Sequence, residues 1–281
     1  MFRTLLYFFM FVSGIAHSGQ TMRLVSAGGS ITEIIYTLDK QDLIVATDST
    51  SLSPSAARNL PKLGYFRQLS VEGVLSFQPT HLIGAQATGP EELAEQLRAA
   101  GVSVTILGEQ RNLGGLYDMI RDVAVLVDAQ DTAQQLINAI DKKVAALKIQ
   151  AHVLAPSTAL FVMSTSERGL TVAGGNTVPQ ALFDDAGIVN AAANMKDYKV
   201  MDNESILRAD PDLIFVASHN VYSEQARLAL CQHPALKATK AGKNCNITTM
   251  ESSSALGLSP RYPEALQAII AKAALIEKQV D

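Results

Sequence analysis

The strongest constraint on the fold is the alternation of short β-branched runs with helix-like segments. "RLVSAGG" is followed by "SITEIIYTL", which has helical spacing and begins with a capping-box pattern, Ser30 with Glu33 three residues later. The same order returns in "HLIGAQ" and "GPEELAEQLRAAG", and strand-like runs recur in the second half as "TALFVMS" and "DLIFVAS". This alternation predicts an α/β fold in which helices cover both faces of a mainly parallel sheet.

The two halves of the chain resemble each other. Glu72–Ala85 ("EGVLSFQPTHLIGA") and Glu204–Ala217 ("ESILRADPDLIFVA") align without a gap at an offset of 132 residues. Ser26–Ser30 ("SAGGS") and Val172–Asn176 ("VAGGN") also correspond. Matching blocks on either side of a long segment without proline or glycine indicate two similar lobes.

The expected architecture has two Rossmann-like lobes, residues 22–113 and residues 152–281, joined by a single long α-helix over residues 114–151. Apolar residues at helical spacing support the joining helix, and two helices in sequence with a joint near Asp128 are the alternative. Ligands of open α/β sheets bind at the carboxyl ends of the strands. Two facing lobes would therefore hold a ligand in the cleft between them.

The N-terminus has the pattern of a secretory signal peptide over residues 1–18. Arg3 precedes the apolar run Leu5–Val12, and the small residues Ala16 and Ser18 stand two apart, as they do before a signal-peptidase site. The run is too short to span a bilayer, although a membrane anchor or a buried first strand would also be apolar. We expect a secreted protein, and no cysteine follows the expected cleavage site to carry a lipid.

The chain contains two cysteines, Cys231 and Cys245, which are fourteen residues apart. In an oxidising compartment such an isolated pair often forms one disulfide. We expect a bridge that closes a short loop near the C-terminus, and two buried free thiols are the alternative.

Charge and motifs exclude several function classes. A formal net charge of −4 leaves no basic footprint, so we expect no nucleic-acid partner. The sequence lacks G-x-S-x-G and H-E-x-x-H, and its five histidines form no spaced metal motif. We therefore expect that the protein is not an enzyme. A nucleotide-sugar transferase-like enzyme on two such lobes is the alternative from another class, but activated nucleotides are scarce outside the cytoplasm.

Tyr65 is the most informative candidate site residue. It lies in "LPKLGYFRQLSVEG", on a short loop between a strand-like and a helix-like segment. A phenol has a pKa of about 10 and is a poor ligand for most ions, but as phenolate it binds the ferric iron of haem. Arg67, two residues on, would favour the phenolate if the loop is extended and both side chains point the same way. A structural tyrosine beside a surface arginine is the alternative.

Three further residues stand at positions that suit a site. His219 ends the strand-like run "DLIFVAS", where a cleft is expected, and an exposed loop histidine is the alternative. Glu72 and Glu204 begin the two matching helices, where a carboxylate is stabilised by the helix dipole. One acid on each lobe would also form a two-point docking surface for a partner with basic residues.

Three segments, "LPKLGYFRQLSVEGVLSFQP", "ALFVMS…TVAGGNT" and "GLSPRYPEAL", resemble the periplasmic haem-binding proteins of bacterial haem-uptake ABC transporters. In that family two Rossmann-like lobes are joined by one long helix that acts as a stiff hinge. The resemblance implies a periplasmic carrier that binds haem and delivers it to an inner-membrane permease, and we expect it to act as a monomer. The same architecture binding a ferric siderophore or a cobalamin is the alternative.

The resemblance also assigns roles to residues. Tyr65 matches the family's axial tyrosine to haem iron, and Arg67 matches the basic residue that supports it. Glu72 and Glu204 match the paired acids that meet arginines of the permease.

The second lobe departs from the family pattern. Some members carry a histidine after the strand matched by "LFVMS", where this chain has Ser164–Ser166, which argues against a two-haem mode. Arg168 is a candidate partner for a haem propionate, and His219 could replace the missing histidine. Arg261 in "SPRYPEA" fits a family pattern too, or holds the C-terminal helix.

Overall fold

The structure is a computed structural model. The residues that it describes are 21–108, 110–166, 169–221 and 223–280. The expected signal peptide, residues 1–18, and the candidate Arg168 lie outside the described residues. In the described part of the chain, no helix is both apolar and long enough to cross a bilayer.

The N-terminal lobe is built on a parallel sheet of four strands. Its elements are β1 (Leu24–Ala27), α1 (Gly29–Thr37), β2 (Ile44–Thr47), α2 (Val71–Leu75), β3 (His81–Ala85), α3 (Leu93–Ala99), β4 (Ser103–Leu107) and α4 (Leu113–Val127). The strand order is β2-β1-β3-β4, with Leu24 of β1 paired to Ile44 on one side and to His81 on the other. The fully buried β1 reads as a continuous run of apolar and small residues because helices cover both faces of the sheet.

The segment between the lobes is two helices. The prediction of a single helix over residues 114–151 is wrong in its bounds, because α4 ends at Val127 and α5 (Gln130–Ala151) begins three residues later. Asp128 adopts the left-handed conformation, with a φ of 52°, and caps α4. The two-helix alternative, with its joint near Asp128, is therefore correct, and α5 alone is the long helix that leads into the second lobe.

The C-terminal lobe is larger and has a mixed sheet. Its elements are β5 (Thr158–Ser166), β6 (Gly169–Ala173), α6 (Val178–Asp185), β7 (Val189–Asn190), β8 (Tyr198–Met201), α7 (Asn203–Ala209), β9 (Leu213–Ala217), α8 (Glu224–Cys231), α9 (Lys240–Lys243), β10 (Ile247–Met250), α10 (Ser252–Leu256) and α11 (Tyr262–Val280). The order is β10-β9-β5-β6-β8, with β7 also on β5. Strands β5, β7, β9 and β10 are parallel, and β6 runs antiparallel to β5 and β8.

The internal repeat seen in the sequence is confirmed by the elements. Strands β3 and β9 have the same length, and their bounds differ by the 132 residues found in the alignment. The turns before them also match, since Gln78 and Asp210 both have positive φ angles and each precedes a proline. Each lobe therefore carries the same helix-turn-strand unit.

A shared apolar core holds the lobes to α5. Ile140, Val144 and Leu147 of α5 are buried in one cluster with residues of α1, α4 and α11. Burying each such side chain stabilises the fold by about 1.5–3 kcal/mol. Tyr262, at the start of α11, is buried and its hydroxyl donates a hydrogen bond to Asp185 at 2.9 Å. The linking helix is thus packed along its length.

The expected disulfide is present. Cys231 at the end of α8 is bonded to Cys245, with the two Cα atoms 5.3 Å apart. The bridge ties α8 to the turn before β10, within the C-terminal lobe.

Candidate ligand site between the lobes

The loop that carries Tyr65 is fixed to the strand β2 before it. The Leu63 amide donates to the Thr47 carbonyl at 2.9 Å, and the Ser49 amide donates to the Gly64 carbonyl at 2.7 Å. Gly64 has a φ of 90°, a conformation that favours glycine. The backbone therefore turns at Gly64 and presents Tyr65 from a fixed position.

The chain after Tyr65 is fixed on its other side. The Gly89 amide donates to the Phe66 carbonyl at 3.0 Å, and the Leu69 amide donates to the Gly89 carbonyl at 2.8 Å. The Tyr65 carbonyl accepts from the Gln68 amide at 2.8 Å. Hydrogen bonds on both flanks leave the loop little freedom, although the Tyr65 side chain is 42% exposed.

Tyr65 and Arg67 are related through Phe66. The Tyr65 and Phe66 rings meet edge to face with centroids 4.9 Å apart, and the Arg67 guanidinium carbon lies 5.4 Å from the Phe66 centroid. Residues 66–68 form a short 3₁₀ helix, so the extended loop geometry expected at Arg67 is wrong. No hydrogen bond joins Tyr65 to Arg67 among the described residues. Phe66, which the sequence did not single out, therefore positions both side chains.

A buried carboxylate stabilises this end of the sheet. Asp48, directly after β2, accepts hydrogen bonds from the Gly28 amide, the Thr50 amide and hydroxyl, and the Ser51 hydroxyl, at 2.6–2.9 Å. These bonds tie the turn after β1 to the loop after β2. The "TDS" after a strand-like run is a turn signal, but the sequence alone does not indicate that the carboxylate is buried.

The second lobe faces the first through a polar cluster. Arg111, in the loop between β4 and α4, donates to the Asn176 carbonyl at 3.4 Å and lies 3.7 Å from the Asp197 carboxylate. Tyr198 stands next to Asp197 at the start of β8. Burial raises the pKa of Tyr198 to about 12, and the charges of Arg111 and Arg67 act in the opposite direction. Two arginines of the N-terminal lobe therefore lie near one phenol of the C-terminal lobe.

A second link between the lobes is centred on Arg261. Its guanidinium donates to Glu33 Oε1 of α1 at 2.7 and 3.0 Å and is also bonded to Glu251 and Ser253. Glu33 is only 5% exposed, and its Oε2 has no hydrogen-bond partner. Arg261 therefore joins α1 of one lobe to the loop after β10 of the other, and does more than hold the C-terminal helix.

His219 lies where the sequence placed it, directly after β9. Its Nδ1 is 2.7 Å from the Ser252 hydroxyl, and its backbone amide donates to the same oxygen at 3.2 Å. The side chain is exposed. Among the described residues, no group of three or more His, Cys, Asp and Glu side chains is arranged to hold a metal ion.

The two candidate docking acids lie on matching helices but in different surroundings. Glu72 and Glu204 are each the second helical residue, one position later than expected, and both are exposed. The Glu204 carboxylate accepts a hydrogen bond from Arg208 at 2.8 Å. No ion pair or hydrogen bond reaches the Glu72 carboxylate among the described residues.

A surface groove of about 550 Å³ adjoins the C-terminal docking helix. It is lined by apolar side chains, including Met195, Val200 and Met201, and by the polar Asp202 and Arg208 of the helix region. The groove lies on the outer side of the C-terminal lobe and includes none of the residues of the Arg111 cluster.

Comparison with known proteins gives consistent results. A solved structure described as the periplasmic heme-binding protein RhuT from Roseiflexus sp. RS-1 is 32% identical, covers 92% of this chain and 100% of its own, and superposes with a TM-score of 0.86. A vitamin B12-binding protein of Vibrio parahaemolyticus is 22% identical over 76% of this chain and 78% of its own. The uncharacterized ABC transporter substrate-binding lipoprotein YvrC of Bacillus subtilis is 22% identical over 68% of this chain, and the match spans 62% of that relative's length.

Residues 24–253 match the family model described as periplasmic binding protein, which covers both lobes and α5. The two-lobed α/β architecture agrees with that match, and the family is one of binding proteins that serve transport. The chain therefore belongs to the periplasmic binding protein family.

Proposed function

We propose that the protein binds haem between its lobes, with Tyr65 as axial ligand to the ferric iron, and delivers it in the periplasm to an inner-membrane ABC importer. The Tyr65 loop carries the proposal. Hydrogen bonds fix its backbone on both flanks while the phenol stays exposed, and Arg67 beside it acts electrostatically on Tyr198 of the other lobe. A phenolate oxygen in a fixed position is a ligand that suits ferric haem.

Haem is favoured over the other ligands by two observations. The relative with the higher identity and coverage is the one described as heme-binding, and the chain has the tyrosine that ferric haem requires. Cobalamin remains the second candidate because a vitamin B12-binding protein is also a relative. Nothing in the described site favours a ferric siderophore. Arg168 and His219 remain candidate contacts from the second lobe.

Delivery would use the exposed acids Glu72 and Glu204. Each lies in the first turn of its helix, and a basic surface of the permease would meet one acid on each lobe. The similarity to an ABC transporter substrate-binding protein supports a permease as the partner. The protein would therefore act as a carrier and leave its cargo chemically unchanged.

The ligand assignment is tested by optical titration of the purified chain with haemin and with cyanocobalamin. We expect haemin to bind with the charge-transfer absorption of a ferric phenolate. Tyr65→Phe keeps the ring contact with Phe66 and removes only the oxygen, so it should lose this absorption and at least about 100-fold in affinity, since even residues outside a metal's ligand shell contribute 10–100-fold. Tyr36→Phe, in α1, is the matched control. An unchanged spectrum for Tyr65→Phe would rule out the axial ligand, and tighter binding of cyanocobalamin would favour the other cargo.

A further inference from the structure

Arg111 makes unusually weak contacts for a residue that crosses between the lobes. A guanidinium has five N–H donors, and its bonds to carboxylates are typically 2.7–2.9 Å long. Arg111 instead lies 3.7 Å from Asp197 Oδ1 and 3.4 Å from the Asn176 carbonyl. The same Asp197 oxygen accepts a shorter bond, 3.0 Å, from the Asn176 amide. A carboxylate that approached Arg111 directly would therefore make a stronger bond than Asp197 does.

The surroundings of Arg111 also favour an anion. Arg67 and Arg111 both act on the Tyr198 phenol, so two cations face one neutral donor, with only Asp197 to balance them. Burial keeps the Tyr198 phenol protonated at neutral pH, because it raises the pKa to about 12. A protonated phenol can donate a hydrogen bond to an anion. Arg67 in turn lies beside Tyr65 through the shared Phe66 ring.

The backbone on the second lobe is specialised at this point. Asn176 and Asp197 both have φ angles of 60°, in the left-handed region that few residues other than glycine adopt. Each follows or precedes a glycine-containing or turn segment, and the two are paired to each other through the Asn176 amide and the Asp197 carboxylate. This pairing holds the Asp197 carboxylate at the lobe boundary independently of Arg111.

We propose that Arg111 is a carboxylate-binding residue of the ligand site, and that Asp197 is a built-in competitor that a ligand carboxylate displaces. The proposal rests on the proposed function. The carboxylate would come from a propionate side chain of haem, with the Tyr198 hydroxyl as a second donor. No covalent bond changes, since one ion pair replaces another. Cobalamin, whose peripheral side chains are amides, offers no such carboxylate, so the exchange would also separate the two candidate cargoes.

The experiment compares haemin with haemin dimethyl ester, in which both propionates are blocked. We expect Arg111→Ala to weaken haemin binding about tenfold, which corresponds to about 1.4 kcal/mol, and to leave binding of the ester within twofold. Asp197→Asn keeps a partner for Asn176 but removes the competing charge, so haemin should bind about threefold more tightly. Arg121→Ala is the matched control, because Arg121 pairs only with Asp118 on the exposed face of α4.

Two results would overturn the inference. An equal loss for haemin and the ester would show that Arg111 only holds the lobes together, and no loss in either would show that it does not touch the ligand. In both cases Tyr65 and the haem assignment would stand. A wild-type protein that takes up no haemin would overturn the proposed function as well, and this outcome is distinguishable because it precedes any variant.

Discussion

The two helix-turn-strand units of the molecule share a frame but not a chemistry. In the N-terminal lobe, α2 is capped by Ser70, carries Glu72 and has Ser76 at its end. In the C-terminal lobe, the positions 132 residues later are Asp202, Glu204 and Arg208. The hydrogen bonds of the two caps are equivalent, because each cap side chain accepts from the amide three residues on.

The difference lies in the charge that each unit presents. Glu72 has no ion pair among the described residues, whereas Glu204 is bonded to Arg208 on the next turn of its helix. Ser76, which takes the place of Arg208, bonds only to the Gly73 carbonyl. The repeat thus conserves backbone geometry, which the parallel strands require, while exposed side chains vary. Of the two acids, Glu72 is the one that is fully available to a basic partner.

The largest effect is expected from the docking acids. The double variant Glu72→Ala with Glu204→Ala should lower haem uptake in proteoliposomes that contain the permease by about 100-fold, at unchanged haem affinity, because rim charges set encounter and orientation. Glu72→Ala alone should cost about tenfold, and Glu204→Ala less, because Arg208 already occupies that carboxylate. Normal uptake by the double variant would refute docking through these residues.

Exchanging the neighbouring residues makes this test sharper. Ser76→Arg gives α2 the ion pair that α7 has, and Arg208→Ser removes it from α7. An exposed pair of this spacing is worth about 0.3–0.5 kcal/mol, so the first should lower uptake about twofold and the second should raise it. Equal losses for the two single glutamate variants, with no response to the exchange, would mean that the lobes dock equivalently.

The next effect concerns how far the lobes are independent. Arg261→Ala leaves Glu33 buried without its partner, and we expect a loss of about 2–3 kcal/mol in unfolding free energy, reduced from the buried-pair range because Arg261 is partly exposed. Glu33→Gln in the same chain should restore much of the loss. Arg121→Ala, an exposed pair within α4, should cost under about 0.5 kcal/mol. Urea unfolding measures all three, and equal losses for Arg261→Ala and Arg121→Ala would contradict the link.

The same link should weaken in acid. Burial alone would raise the pKa of Glu251, but hydrogen bonds from Arg261 and Ser253 and the charges of Arg261 and Arg58 outweigh it and hold the pKa below its usual value. A lowered folded-state pKa stabilises the fold above the usual glutamate pKa of about 4.3. That contribution is lost as the pH falls through the folded-state value. Arg261→Ala should therefore show a smaller loss of stability between pH 6 and pH 3 than the wild type.

The sequence predicts the frame of this molecule because the frame depends on local patterns. Strand runs, caps and the repeat at 132 residues are readable from apolar spacing and from turn residues such as Pro79 and Pro211. The break at Asp128 was left open because aspartate tolerates both helical and left-handed conformations, and only packing of α4 and α5 decides between them.

The site was less predictable because it is assembled from distant segments. Tyr65 could be identified through a resemblance, but the role of Phe66 depends on a 3₁₀ turn that the pattern does not indicate. Arg111 and Tyr198 are 87 residues apart in sequence and lie on different lobes, so no local spacing relates them. The Arg261 contact with Glu33 spans 228 residues. Such pairings follow from how the lobes meet, which a single sequence does not encode locally.

The smallest effect separates the two caps by their response to acid. Hydrogen bonds from Ser205 hold the pKa of the Asp202 carboxyl below its usual value, so this cap stabilises α7 above the usual aspartate pKa of about 3.9 and is lost as the pH falls through the folded-state value. The Ser70 hydroxyl does not titrate in this range. Amide hydrogen exchange should therefore show the protection of Ser205 falling between pH 6 and pH 3, relative to that of Gly73, which receives the equivalent bond.

Two substitutions make the cap comparison complete. Asp202→Ser should give the C-terminal unit the acid-insensitive cap of its counterpart, so the pH dependence at Ser205 should disappear while a cap bond remains. Ser70→Ala should cost the N-terminal unit about 1 kcal/mol at every pH, because serine caps are typically worth that much. If Ser205 and Gly73 kept the same relative protection down to pH 3 in the wild type, the carboxylate of Asp202 would contribute nothing that a hydroxyl does not, and the two units would differ only in the ion pair that Arg208 makes.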